Sequence, residues 1–144
     1  MKTALKNTTM LLVAAVVMFG SMQALAGKVK IIANSSVKAD TISAGELKSV
    51  FLEETSSLSD GSHVEPVLAR GGPAHEAFVE EYLGKSDAAL QVYYRSLVFT
   101  GKGSMPKSVG SDAEVVAYVA KTKGAIAYIG SATSAEGVKT LEVK

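Results

Sequence analysis

The chain has 144 residues, 15 basic and 14 acidic side chains, and no cysteine. That length holds one domain and excludes two full ones, and the lack of cysteine excludes a disulfide framework, a thiol nucleophile and a lipidated leader. The near balance of charge excludes a polybasic surface, so no nucleic-acid partner is expected.

Lys2 and Lys6 precede the apolar stretch Met10 to Phe19, and Ala24-Leu25-Ala26 follows as a small-residue cleavage site. This is the pattern of a secretory signal peptide. The uninterrupted apolar run stops at Gly20, well short of the roughly 18 residues that a spanning helix requires. Residues 1–26 are expected to be removed, leaving 27–144 as a single domain with 13 basic and 14 acidic residues. A free, soluble product in a bacterial periplasm is the expected outcome.

Lys28 to Ala33 alternates with β-branched residues and runs into Asn34-Ser35-Ser36, which predicts a first strand and a turn. Ser43 with Glu46 forms a capping-box pattern ahead of Leu47, Val50 and Phe51 on one helical face. His63 to Ala69 is a second strand, in which Pro66 predicts an edge or an irregular pairing. The chain then reaches Arg70, and Gly71-Gly72 allows a tight turn. Pro73 opens a helix with Ala74, Phe78 and Tyr82 as its buried stripe, His75 exposed and Gly84 as its stop.

Ser86 caps a third helix with Leu90, Tyr93, Tyr94 and Leu97 on one face. Gly101 and Gly103 break the chain. Ser111 and Glu114 repeat the capping-box pattern ahead of Val115, Tyr118 and Val119, and Gly124 falls just past that helix. Ala125 to Ile129 is a short buried strand and Val138 to Val143 a closing one. The predicted order is β-α-β-α-α-α-β-β, which favours an α/β domain with a mixed sheet flanked by helices. The tyrosines fall at helical spacing and are expected in the core, with their hydroxyls reaching its rim.

Several segments occur together in order: Ile42-Ser43, Glu46-Leu47 and Val50-Phe51-Leu52; Asp60-Gly61; Arg70, eight residues before Phe78; Phe99-Thr100-Gly101-Lys102-Gly103-Ser104; and Lys123-Gly124-Ala125-Ile126-Ala127-Tyr128-Ile129. In this order the chain resembles the phosphate ABC-transporter substrate-binding proteins, within the type 2 periplasmic binding proteins, over roughly residues 30–132. Members of that family have two lobes that close on a ligand, and the resemblance covers the second lobe. It implies a single lobe that binds phosphate or a similar oxyanion for uptake or sensing, with a membrane transporter or sensor as partner. It implies neither an enzyme nor a cofactor.

In the family an arginine precedes a Ser-Gly-Thr turn at a helix start. The physical logic is general: free N–H groups, glycines that admit a ligand to the backbone, and a guanidinium that pairs with an oxyanion. Arg70, Gly71 and Gly72 keep that arrangement. The positions matching the family's Ser-Gly-Thr are Ala74, His75 and Glu76; after a one-residue slip Gly72 replaces the serine, and Glu76 would repel an anion that it faced. The alternative for Arg70 is a surface ion pair with Glu76 or Glu80.

Lys102, Gly103 and Ser104 are expected to offer an ammonium and N–H groups to the same anion, or else to form a plain connection with a solvated lysine. The ligand set is therefore Arg70, Gly71, Gly72, Ala74, His75, Lys102, Gly103 and Ser104. His63 and His75 lack metal-ligand spacing, so no metal is expected. No nucleophile elbow is present either. A half-site encloses little of its ligand, so affinity should be modest unless a homodimer completes the pocket. The competing function is an exported protein-interaction module that docks on a membrane sensor, porin or transporter.

Overall fold

A computed structural model describes residues 29–144; the expected signal peptide lies outside the described residues. The strands are β1 (Val29–Ala33), β2 (Thr41–Ile42), β3 (Glu65–Ala69), β4 (Lys107–Val109), β5 (Ala125–Gly130) and β6 (Lys139–Val143). The helices are α1 (Ala44–Phe51), α2 (Pro73–Phe78), α3 (Asp87–Phe99) and α4 (Asp112–Lys121), with a π-helical turn at Val79–Leu83 continuing α2.

Six strands form one mixed sheet in the order β2-β6-β1-β5-β3-β4. β1 runs antiparallel to both of its neighbours, β5 and β6. The pairs β2–β6, β3–β5 and β3–β4 are parallel. The crossover from β3 to β4 moves one way across the sheet, and the crossover from β4 to β5 moves back. Right-handed crossovers in opposite directions place α2 and α3 on one face and α4 on the other. No helix among the described residues is long and apolar enough to cross a membrane.

The helix starts follow the sequence. The hydroxyls of Ser43, Ser86 and Ser111 accept from the N–H groups of Glu46, Ala89 and Glu114. Each satisfies a donor that the first helical turn leaves free, an effect of about 1 kcal/mol. The first capping box is only half made, because the Glu46 carboxylate accepts from Ser59 N–H and so pins the 55–62 loop. Tyr93 and Tyr94 donate to the carbonyls of Leu52 and Phe51, tying α3 to the end of α1. The Tyr94 hydroxyl is therefore internal to the core and not at its rim.

Two strands were not expected, β2 and β4; with two and three residues they are too short to show a period. The buried stripe of α2 also differs from expectation. His75, Phe78, Val79 and Leu83 face the core, whereas Ala74 and Tyr82 are half-buried. The wider π turn rotates Leu83 inward in place of Tyr82. His75, expected at the surface, is 3% exposed.

Candidate anion site

β3 carries the site, and its N–H groups alternate between its two neighbours. Glu65 N–H donates to Gly124 O ahead of β5 at 2.8 Å, and Arg70 N–H donates to Val109 O of β4 at 2.9 Å. By alternation Pro66 points its nitrogen toward β4, which begins only opposite Val67. Proline thus occupies a local edge inside an interior strand, where a missing donor costs nothing. β5 pairs with β3 only at Glu65 and Pro66. At Ala69 a side chain takes over from the ladder, and the Tyr128 hydroxyl accepts the Ala69 N–H at 3.0 Å.

Beyond Ala69 the chain turns through Arg70, Gly71 and Gly72. The two glycines have φ of +139° and +94°, and a Cβ added to either would meet nothing within 4 Å. The turn is therefore open on its outer side and adopts a backbone that other residues resist. Pro73 then starts α2 with its fixed φ. Among the described residues, the N–H groups of Gly71, Gly72, Ala74 and His75 have no hydrogen-bond acceptor; the helix ladder starts with Glu76 N–H on Gly72 O.

Arg70 is exposed, and no carboxylate among the described residues lies within ion-pair distance of it. The expected alternative, a pair with Glu76 or Glu80, is not formed. The arrangement can receive a compact oxyanion through a guanidinium and a run of N–H groups without acceptors. The neighbouring helix start differs. At α4 the chain's own Asp112 carboxylate accepts from Gly130 N–H and the Thr133 hydroxyl, both at 2.8 Å.

The Lys102-Gly103-Ser104 loop is not brought to this turn. It precedes β4, whose Lys107 pairs with Val67, whereas Arg70 follows Ala69, which pairs with Val109 at the other end. Parallel strands place the start of β4 and the exit of β3 at opposite poles of the sheet. The stretch from Val67 to Arg70 spans about 10 Å, and Ser104 lies beyond its far end, beside His63 and Glu65. Ser104 instead lines a 270 Å³ cleft with Glu53, Ser56, His63, Glu65 and Lys107. The candidate site therefore keeps Arg70, Gly71, Gly72, Ala74 and His75, and it loses the expected ammonium.

His75 can offer an anion only its backbone N–H, because its side chain points into the core. Nδ1 lies 2.5 Å from the Tyr128 hydroxyl and Nε2 lies 2.7 Å from Asp87 Oδ1. The Tyr128 ring stacks on Phe78 with centroids 4.0 Å apart and planes 9° from parallel. Burial pushes the Tyr128 hydroxyl well above the usual phenol range, so it stays protonated. Sequence spacing gave no sign of this cluster, whose members are 12 and 53 residues apart. His63 stands apart, 3.8 Å from Glu65, and no group of three metal-ligating side chains occurs among the described residues.

A mixed sheet with helices on both faces and an open turn beyond the carboxyl end of a strand is an architecture in which α/β domains commonly bind ligands. No protein-family model matches the chain, and no curated protein does. Solved structures do. One is from Clostridium perfringens, assigned as a phosphate ABC transporter substrate-binding protein and solved with bound phosphate; it matches at TM-score 0.61 and 15% identity. PstS from Borrelia burgdorferi matches at 0.61 and 14%, and an ABC-type phosphate transport receptor from Vibrio cholerae at 0.54 and 11%. In each case the match covers 81% of this chain and 44%, 47% and 46% of the other, respectively. The chain thus resembles phosphate-transporter binding proteins in fold and spans less than half of their length.

Proposed function

We propose that the chain is an exported, non-enzymatic solute-binding domain that takes phosphate or a similar oxyanion at the Arg70–Gly72 turn. The observation that carries this reading is an arginine with no carboxylate partner among the described residues, beside four N–H groups with no acceptor among them. The likeness to a structure solved with bound phosphate supports the choice of anion. Residues 1–26 act as the export signal, and the periplasm is the site of action. The open turn gives a half-site of modest affinity, which a second copy of the chain or a transporter component completes.

The test is calorimetric titration of residues 27–144 with phosphate, sulfate and small carboxylates at low and moderate salt. Saturable phosphate binding that disappears in Arg70→Ala is expected. No heat with any anion would replace this reading with the interaction module. One observation favours that second reading: Val92, Val98 and Phe99 of α3 are 61%, 55% and 93% exposed.

A further inference from the structure

Both ends of the segment from Ala69 to His75 converge on a single oxygen atom. Ala69 N–H reaches the Tyr128 hydroxyl from the strand side, and the His75 imidazole reaches it from the helix side. Between these two anchors lie Arg70, Gly71, Gly72, Pro73 and Ala74, the whole of the candidate anion turn. We propose that His75 is the positioning residue of this turn, clasping it shut as a neutral imidazole that bridges the Tyr128 hydroxyl and the Asp87 carboxylate.

Donor and acceptor arithmetic fixes the proton positions. A backbone N–H can only donate, so the Tyr128 oxygen accepts from Ala69. A carboxylate only accepts, so His75 Nε2 carries the hydrogen that bonds Asp87. The proton of Tyr128 then has one acceptor among the described residues, Nδ1 of His75. A hydrogen on Nδ1 would give the phenol oxygen two incoming donors and leave its own proton without a buried acceptor. Phe78 stacks on the Tyr128 ring and Phe51 packs at 5.8 Å between centroids, so the ring and its oxygen hold their place in the core. The chain of bonds therefore runs in one direction, from Ala69 N–H to Tyr128 O–H to His75 Nδ1, with Nε2–H closing on Asp87.

The clasp matters because two successive glycines make the turn the least self-constrained stretch of the site. Free N–H groups bind an anion well only when they are already aimed at it, since ordering them on binding would consume affinity. Asp87 is the first residue of α3, so the clasp also fixes the turn to a third element. Its carboxylate side chain is 53% exposed, which lets the outer end of the chain be altered without opening the core.

The consequence for phosphate rests on the anion-site reading; the clasp itself does not, and the experiment separates the two. Long-range nitrogen–proton correlation on the unsubstituted protein should show His75 hydrogen-bearing at Nε2 and bare at Nδ1. His75→Asn places an amide oxygen where Nδ1 was, whereas His75→Gln reaches toward Asp87 and abandons Tyr128. Ala69 amide exchange should stay within about threefold of wild type in His75→Asn and accelerate about tenfold in His75→Gln. Phosphate dissociation constants, measured well below each variant's melting temperature, should follow the same order, with His75→Gln weaker by roughly three- to tenfold.

A hydrogen on Nδ1 in the unsubstituted protein would overturn the proposal, even if neither variant folds. Equal Ala69 exchange in the two variants would also overturn it, as would wild-type phosphate affinity in His75→Gln. Failure of the unsubstituted protein to bind phosphate would sink the anion reading, and the tautomer and the Ala69 exchange would still decide the clasp.

Discussion

Glu53 is the place where backbone and side chain disagree most. It follows α1 with φ of +60°, the only non-glycine residue with positive φ among those described. Glu53 N–H donates to Val50 O and Glu54 N–H donates to Ser49 O, the two bonds of a helix end that ordinarily has glycine at this position. A side chain there costs about 1 kcal/mol or more. Burial adds to this by raising the Glu53 carboxyl above its ordinary value.

Glu53→Gly relieves both effects and gives back part of the gain as unfolded-chain entropy. The net expectation is stabilisation by about 0.5–1 kcal/mol, a rise in melting temperature of roughly 2–6 °C. Glu53→Ala relieves the burial but keeps the strain, so it should fall between wild type and Glu53→Gly. The pH dependence has a definite sign. A carboxyl raised in the folded state penalises folding once pH exceeds its unfolded value, and the penalty is complete above the folded one. The advantage of Glu53→Ala over wild type should therefore shrink as pH falls through the range just above 4.5. The assay is urea unfolding of the three proteins at pH 4 and pH 7. A Glu53→Gly protein no more stable than Glu53→Ala would refute the backbone argument.

Tyr128→Phe keeps the stack on Phe78 but strips the acceptor from Ala69 N–H and the donor from His75, so it should destabilise by about 2–4 kcal/mol. A loss below 1 kcal/mol in the same assay would mean that water replaces the hydroxyl. Glu76→Gln, in the exposed first turn of α2, should tighten phosphate binding about two- to threefold at low salt. The gain should vanish at high salt, and its persistence there would point to a contact instead of a field.

Helix starts were legible in the sequence because a serine hydroxyl caps a helix locally: Ser43, Ser86 and Ser111 all do so. The strands with strong apolar patterns, β1 and β5, were legible for the same reason of local periodicity. Misplacement of the Lys102 loop has one root, the unseen β4. Three residues carry no readable period, and without the parallel pairing of Lys107 with Val67 nothing assigned the loop to the far pole. The burial of His75 escaped because a polar side chain enters a core only when distant partners satisfy it, here Tyr128 and Asp87. The left-handed turn at Glu53 escaped because its sequence lacks the glycine that normally marks it.

The placement of β6 governs the order in which the molecule can be assembled. β6 fills the gap between β1 and β2, so two of the earliest strands wait for one of the latest. Ile31 meets Leu141 and Thr41 meets Glu142, separations of about a hundred residues. A chain emerging from its N-terminus therefore holds an unfinished sheet until residue 143 is available, and such long-range closure is slow. Until then β1 has no partner on its β6 side, and β2 has no strand partner at all.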